Sequence, residues 1–440
     1  MRKIFTTISI TLFFTTAAQN TWSLEQCMSY AADHASSVVQ ARWDVASATA
    51  TRNEALAEFF PSVSAQIGGQ FSWGRNIDPE TNTYNDITTF NNAYGLYASL
   101  TIFDGGRTIN RFRQARNERK RMINSVEMKR DDSAINAMMA YADAVYYRNS
   151  VKIAEEKLFQ SESMLKLTQT QEELGLKGMP EVIEAEATVA NDKYSLVHQQ
   201  NLYEQAMLTL KSSMNYPASR DLELDTTSYP MPPLKSDDNA ESIYSAALYF
   251  NPKTIDARLQ ANSSKYAYEM AKGFLLPSLS LNAGISTSYF KNLSGGYAAT
   301  MFGEQFCNNR GEYISATLSI PIFPGLSRIA GKNRAKYAYV QAKEQLSEQK
   351  RRLHDDIASA VMDRDAYAIE ILSLKAKVDA DAKAYQLSRR KYEEGMISII
   401  DLRLSANNYF SSRVEMLQRQ MLYLLKDKLV EYYKGNKLWM

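Results

Sequence analysis

The sequence predicts a mixed, mainly α-helical chain with a smaller β component, in which one order of elements (helix, β-hairpin, long helix, helix) occurs twice. Three observations predict it. Neither Gly nor Pro occurs between Gly106 and Gly175, nor between Gly331 and Gly395. Four short segments alternate apolar with small polar side chains and carry no Lys, Arg, Asp or Glu. Finally, Phe59-Phe60-Pro61-Ser62-Val63-Ser64 recurs as Leu275-Leu276-Pro277-Ser278-Leu279-Ser280, and Phe103-Asp104-Gly105 as Phe323-Pro324-Gly325.

The first residues read as an address. Arg2 and Lys3 precede an apolar run from Ile4 to Phe14, and small residues follow to Ala18. That order is a secretory signal peptide over 1–18, too short for a spanning helix. No cysteine ends the run, so no lipid attachment is expected there.

The first repeat is expected over 19–215, with a strand hairpin over about 59–103 and a helical hairpin over about 106–215. Its first strand places Val63, Ala65, Ile67, Gly69, Phe71 and Trp73 on one face and Ser62, Ser64, Gln66, Gly68, Gln70 and Ser72 on the other. Its second sets Tyr94, Leu96, Ala98, Leu100 and Ile102 against Tyr97, Ser99 and Thr101. The breaker-free window that follows is far longer than the roughly 11–12 residues of an average helix. Gly175, Gly178 and Pro180 then make a tight link between antiparallel helices, Pro180 being suited to a helix start.

An extended connector over 216–239 contains Pro217, Pro230, Pro232 and Pro233. The second repeat covers 240–434, with a strand hairpin over about 275–323 and a helical hairpin over about 326–434. Its strands set Leu279, Leu281, Ala283 and Ile285 against Ser278, Ser280, Asn282 and Gly284, and Ile314, Ala316, Leu318 and Ile320 against Ser315, Thr317 and Ser319. In its long helix Leu346, Leu353, Ala360, Tyr367 and Leu374 fall seven apart, with Ile357, Ile371, Val378 and Tyr385 on a second seam. That is coiled-coil spacing. Lys350, Arg364 and Asp381 break the seam and suggest a wet side. A second turn spans Tyr392, Gly395 and Ser398, and a short tail covers 435–440.

Each uncharged strand is long enough to cross a bilayer when tilted. Aromatic residues cluster at both ends, as girdles would: Phe59, Phe60, Phe103 and Phe323 at the helix side; Phe71, Trp73, Tyr94, Tyr289, Phe290 and Tyr313 at the loop side. Four strands cannot close a barrel, and open edges cannot sit in lipid. The chain is therefore expected to oligomerise, with eight strands from a dimer or twelve from a trimer.

Composition excludes several classes. The 51 basic and 49 acidic residues nearly cancel, so a nucleic-acid partner is not expected. Two cysteines, Cys27 and Cys307, and three histidines, His34, His198 and His354, are too few for a Cys/His metal centre or a disulfide scaffold, and no essential disulfide is expected. No phosphate-binding glycine loop, dinucleotide fingerprint or nucleophile elbow is present, so neither enzyme activity nor a cofactor is expected.

The duplicated order, the Pro-Ser-x-Ser strand openings and the turn Tyr392-x-x-Gly395-x-x-Ser398-x-x-Asp401-Leu402 resemble the TolC-like outer membrane efflux channels. The resemblance covers nearly the whole chain after residue 18. It implies a homotrimer with a twelve-stranded barrel in the outer membrane of a Gram-negative bacterium, continuous with an α-helical coiled-coil tunnel through the periplasm. It also implies a periplasmic adaptor protein and an inner-membrane pump as partners. Function is then a passive exit duct for small molecules such as drugs, metals or other toxic compounds. A duct for type I protein secretion, and a non-conducting coiled-coil tether, are the alternatives.

By the same resemblance the tunnel narrows at the turns, and the positions matching its acidic constriction are Asp401 and Glu184. Three like charges at a narrow mouth would attract cations and repel one another. Where some members carry another acid, this chain has Leu404, beside Arg403. One feature stands outside the resemblance. Arg107, Arg111, Arg113, Arg116, Arg119, Lys120 and Arg121 follow the first strand hairpin, and Arg328, Lys332, Arg334 and Lys336 the second. Cations at a helix start oppose the macrodipole, so something must compensate. Arg111, Arg113, Arg328 and Lys332 are candidates for contact with phosphate headgroups of outer membrane lipid.

Overall fold

In the computed structural model the described residues are 21–78, 82–225, 238–295 and 300–439. The signal peptide expected over 1–18 and half of the connector, 226–237, lie outside them. The chain divides into two compact units, one from Met1–Ala41, Val126–Asn251 and Arg351–Met440, the other from Arg42–Ser125 and Pro252–Lys350.

Long helices dominate. They are α3 (Arg107–Glu173), α4 (Met179–Met214), α8 (Gly325–Glu393) and α9 (Ile399–Tyr433). α8 begins before Gly331 and runs through it, since one helical Gly costs only about 1 kcal/mol against Ala. Each repeat opens on two helices rather than one: α1 (Leu24–His34) and α2 (Ser36–Ala57), then α5 (Ala240–Phe250) and α6 (Pro252–Gly273). Ala35 and Asn251 leave helical geometry at ψ 138 and 121. Pro252 demands that of the residue before it.

The first unit is a helical body. Cys27, Met28 and Ala31 of α1 pack with Ala134, Met138 and Val145 of α3, Leu210 and Met214 of α4, and Leu417 and Met421 of α9. Leu438 and Trp439 join this cluster, so the last described residues are part of the core. At the start of the connector, Leu224 forms a parallel bridge with Trp22. A second cluster joins Ile243 and Ala247 to Leu353, Ile357, Ala360 and Val430. Arg364, read from the sequence as a break toward water, is only 3% exposed. It is buried because Asp238 and Asp365 both hold its guanidinium.

The second unit carries the sheet: β1 (Ser62–Ser72), β4 (Thr89–Phe103), β5 (Ser278–Asn292) and β6 (Gly311–Ser319), all antiparallel and in the order β1-β4-β5-β6. Its two edges, β1 and β6, pair with no other strand among the described residues. The first hairpin loop contains a small ladder, β2 (Arg75–Asp78) with β3 (Thr83–Asp86). The second loop contains a short helix, α7 (Phe302–Asn308). Neither was legible in the polar composition of those loops.

Candidate functional site

Two places carry the chemistry, the sheet in one unit and the helical turns in the other. In the sheet, register decides everything. Ile67 opposes Tyr94, Leu96 opposes Ile285, Ala98 opposes Ala283, and Ala283 opposes Ile314. Opposed residues of an antiparallel pair share a face. One face therefore collects the apolar side chains of all four strands, and the other collects Ser64, Gln66, Ser99, Asn282 and Ser315. A bulge between Thr101 and Phe103 lets Phe103 oppose Leu279, so the alternation stops before Ile102. Toward both edges the apolar face is open, with Ile67 74% and Ile314 80% exposed.

Aromatic rings follow the same logic at the loop end. Phe71 stacks on Trp73 and touches Phe90, and Phe90 touches Tyr289. Phe302 and Phe306 of α7 pack on Tyr94. Phe71, Phe90, Tyr94 and Tyr289 all lie on the apolar face. Phe290 and Tyr313 do not: they oppose Asn91 and Gly284 on the polar face, so they stand apart from the belt that the sequence assigned them to. Phe90, Phe302 and Phe306 take part instead, residues that strand alternation gave no reason to select. At the helix end Phe59 and Phe60 lie in the turn before β1, and Phe60, Phe103 and Phe323 are exposed.

The basic run at the start of α3 has compensation close by. Asp104 accepts hydrogen bonds at 2.9 Å from both the Thr108 N–H and its Oγ1, placing a negative charge at the positive end of the helix. Arg111 pairs with Glu58 at 2.7 Å, and Arg121 with Asp256 at 3.1 Å. Arg113 is exposed, with Asn110 at 3.5 Å. Arg328 donates to the Phe274 carbonyl at 2.9 Å and is otherwise exposed, and Lys332 is half-buried.

The two turns repeat one geometry. Gly175 and Gly395 have φ of +71° and +74°, a left-handed conformation that glycine adopts without penalty. In each, the next residue's N–H reaches back to a helix carbonyl, Leu176 to Gln171 and Met396 to Lys391. After the second turn Ser398 and Asp401 form a reciprocal capping box. The Asp401 carboxylate also accepts from Ser398 Oγ at 2.8 Å. After the first turn Gly178 supplies no side-chain cap, Pro180 sits in the opening turn, and the acid of that turn is Glu181. Glu181 occupies in α4 the position that Asp401 occupies in α9. The repeat offset that pairs Phe103 with Phe323 also pairs these two, so the sequence held the signal. Glu184 lies one turn further on and is half-buried, and Leu404, its counterpart in α9, is exposed.

Tyr392 ties the turns together. Its side chain is fully buried, its hydroxyl is 2.6 Å from Thr168 Oγ1, and the Lys177 ammonium lies 3.9 Å from its ring centre. Burial raises the Tyr392 phenol and lowers the Lys177 ammonium relative to their ordinary values. Met164, Ala185, Tyr385, Ile399 and Leu402 complete this cluster. Beside it, the side chain of Asp192 is almost fully buried against Lys157 at 3.0 Å.

A family profile described as outer membrane efflux protein matches residues 28–216 and 243–426. The chain belongs to that family. Its relatives are outer membrane channels of the TolC-like kind and not enzymes. TolC of Escherichia coli is 24% identical over 190 residues, an alignment spanning 42% of this chain and 38% of TolC. Among solved structures, the outer membrane protein VceC of Vibrio cholerae matches with a TM-score of 0.80 at 16% identity, covering 94% of this chain and 96% of that one. The CmeC outer membrane channel of Campylobacter jejuni matches with a TM-score of 0.80 at 17% identity, covering 94% and 85%. These likenesses show a shared fold.

Proposed function

We propose that three copies of this chain assemble into a twelve-stranded barrel in the outer membrane, joined to a helical tunnel in the periplasm, and that the assembly is the exit duct of a tripartite efflux pump for small toxic molecules. One observation carries the reading. Among the described residues the four-stranded sheet ends in two unpaired edges, with one mainly apolar face, whose charges Lys291 and Glu312 lie toward the loop end, and one mainly polar face. In lipid an open edge is costly, and joining β1 of one copy to β6 of the next removes it. The apolar face then meets lipid and the polar face lines a wet lumen.

On this reading 1–18 directs export, and the chain is organised as two repeats, 19–215 and 240–434, joined by the connector 216–239. Asp401 and Glu184 stand near the tunnel mouth and tune cation passage. Arg111, Arg113, Arg328 and Lys332 face lipid phosphates near the inner rim. A periplasmic adaptor docks near the turns, and an inner-membrane pump supplies the energy.

The test is a deletion strain loaded with a fluorescent cationic dye. Retained dye that washes out once the gene is restored, with secreted protein unchanged, is expected. Normal dye export with lost protein secretion would favour a type I secretion duct instead.

A further inference from the structure

The last strand of the sheet is shorter than its neighbour. β5 runs to Asn292, but its pairing with β6 ends where Ser286 opposes Gly311. Beyond that point no strand among the described residues lies beside one backbone edge of β5, and α7 takes the place. Gln305 satisfies both backbone groups of Phe290: its Oε1 accepts from the N–H at 2.9 Å, and its Nε2 donates to the carbonyl at 2.9 Å. Asn309 Nδ2 donates to the Ser288 carbonyl at 2.7 Å, and Thr287 Oγ1 donates to the Phe306 carbonyl at 2.7 Å. Side-chain amides thus stand in for a strand's ladder. Water would satisfy such an edge with no help from the protein, whereas hydrocarbon offers an unpaired group no partner at all.

The side of the sheet also matters. A helix plugging the lumen would pack on the polar face. α7 packs on the apolar face, with the Phe302 ring 5.3 Å from Tyr289 and the Phe306 ring 5.4 Å from Tyr94. It continues the aromatic belt of Trp73, Phe71 and Phe90 around the same face. Met301, Phe302 and Phe306 remain exposed, Met301 at 80%. Aromatic and amphipathic groups at this level favour the boundary between headgroups and acyl chains.

We propose that α7 is a lipid-facing part of the barrel wall, seated at the headgroup–acyl boundary of the outer leaflet, where Gln305 closes the open edge of β5 against hydrocarbon. The proposal rests on the sheet forming a membrane barrel. Its partner is lipid, with the extracellular medium as the alternative that the test excludes.

Cys307 gives a native probe. It lies exposed on α7, whereas Cys27 is buried and burial pushes its thiol up to about 12. An environment-sensitive dye on Cys307 of the full chain, reconstituted in phosphatidylcholine vesicles, is exposed in turn to lipids carrying a shallow nitroxide and to aqueous iodide. Conductance is recorded on the same vesicles. The nitroxide lipid is expected to quench severalfold more than iodide. Conducting vesicles in which iodide quenches and the nitroxide does not would overturn the proposal and leave the channel standing. Protein that neither inserts nor conducts would overturn the barrel itself. In a second arm, Gln305→Ala is expected to lower the temperature at which the detergent-solubilised assembly dissociates, and an unchanged temperature would show that Gln305 closes nothing.

Discussion

The Tyr392 hydroxyl and Thr168 Oγ1 lie 2.6 Å apart, both shielded from water, and join the end of α8 to α3 beside the turns. The direction of the bond follows from counting hydrogens. Thr168 Oγ1 already donates to the Met164 carbonyl at 2.8 Å, so its single proton is committed and Tyr392 is the donor. Tyr392→Phe removes a donor and leaves an acceptor. Thr168→Val leaves a buried phenol with nothing to bond. The first should cost about 1 kcal/mol and the second about 1–3 kcal/mol. The order of thermal midpoints by far-ultraviolet circular dichroism checks this, with Thr168→Val the lower.

That bond also marks how far the sequence could be read. The breaker-free windows were enough to see α3 and α8, because a missing Gly or Pro is a local property of the chain. Alternation was enough to see which residues of β1 share a face. What alternation cannot supply is pairing between strands distant in sequence. That pairing put Phe90 in the aromatic belt and Phe290 and Tyr313 outside it. The bulge at Thr101 and the side-chain ladder of Gln305 are likewise products of neighbours. Arg364 broke an apolar seam and looked solvated, yet Asp238, 126 residues away, makes its burial possible.

Cysteine chemistry should separate the two thiols. Both cysteines are free. Burial, and secondarily the Glu25 carboxylate, raise the Cys27 thiol to about 12. The thiolate is the reactive form, so at pH 8 a maleimide should label one thiol per folded chain and two after denaturation. Quantifying labelled product by intact mass checks this.

Asp131 should give a pH signature. It accepts from Trp439 Nε1 and from the Tyr432 hydroxyl, each at 2.9 Å, and the Arg130 guanidinium lies 3.6 Å from the Trp439 ring centre. Desolvation by burial raises its carboxyl above the ordinary 3.8, although both hydrogen bonds oppose that. A raised folded value means that the folded state holds the proton more tightly. The stabilisation from this group is then full below the unfolded value and is lost as pH rises through the folded one. Asp131→Asn lacks that titration. Its thermal midpoint should gain on the parent as pH rises from about 4 toward 7, and midpoints measured across that range test it. Trp439→Ala removes a buried indole and should cost about 3–5 kcal/mol.

Arg111 has two candidate partners, Glu58 and lipid phosphate. The pair with Glu58 is partly exposed, with the Arg111 side chain 56% accessible, so it is worth no more than about 1 kcal/mol. Arg111→Glu together with Arg113→Glu should weaken binding to anionic vesicles, and adding Glu58→Arg should not restore it. Recovery in the triple variant would assign Arg111 to the ion pair alone. Vesicle flotation reads the difference.

Asp401 serves two roles in this account. As the second half of the capping box it should contribute about 0.5–2 kcal/mol to α9. At the tunnel mouth its charge should favour cations. Asp401→Asn keeps a side-chain acceptor and removes the charge, so cation selectivity should fall in single-channel recordings while the thermal midpoint moves little. Unchanged conductance and selectivity would place Asp401 away from the constriction.

The most direct test counts chains in the native assembly. Mass spectrometry of the detergent-solubilised protein under non-denaturing conditions should show a species of three chains. A single chain, stable in water without detergent, would contradict the closure of the sheet edges on which the channel depends.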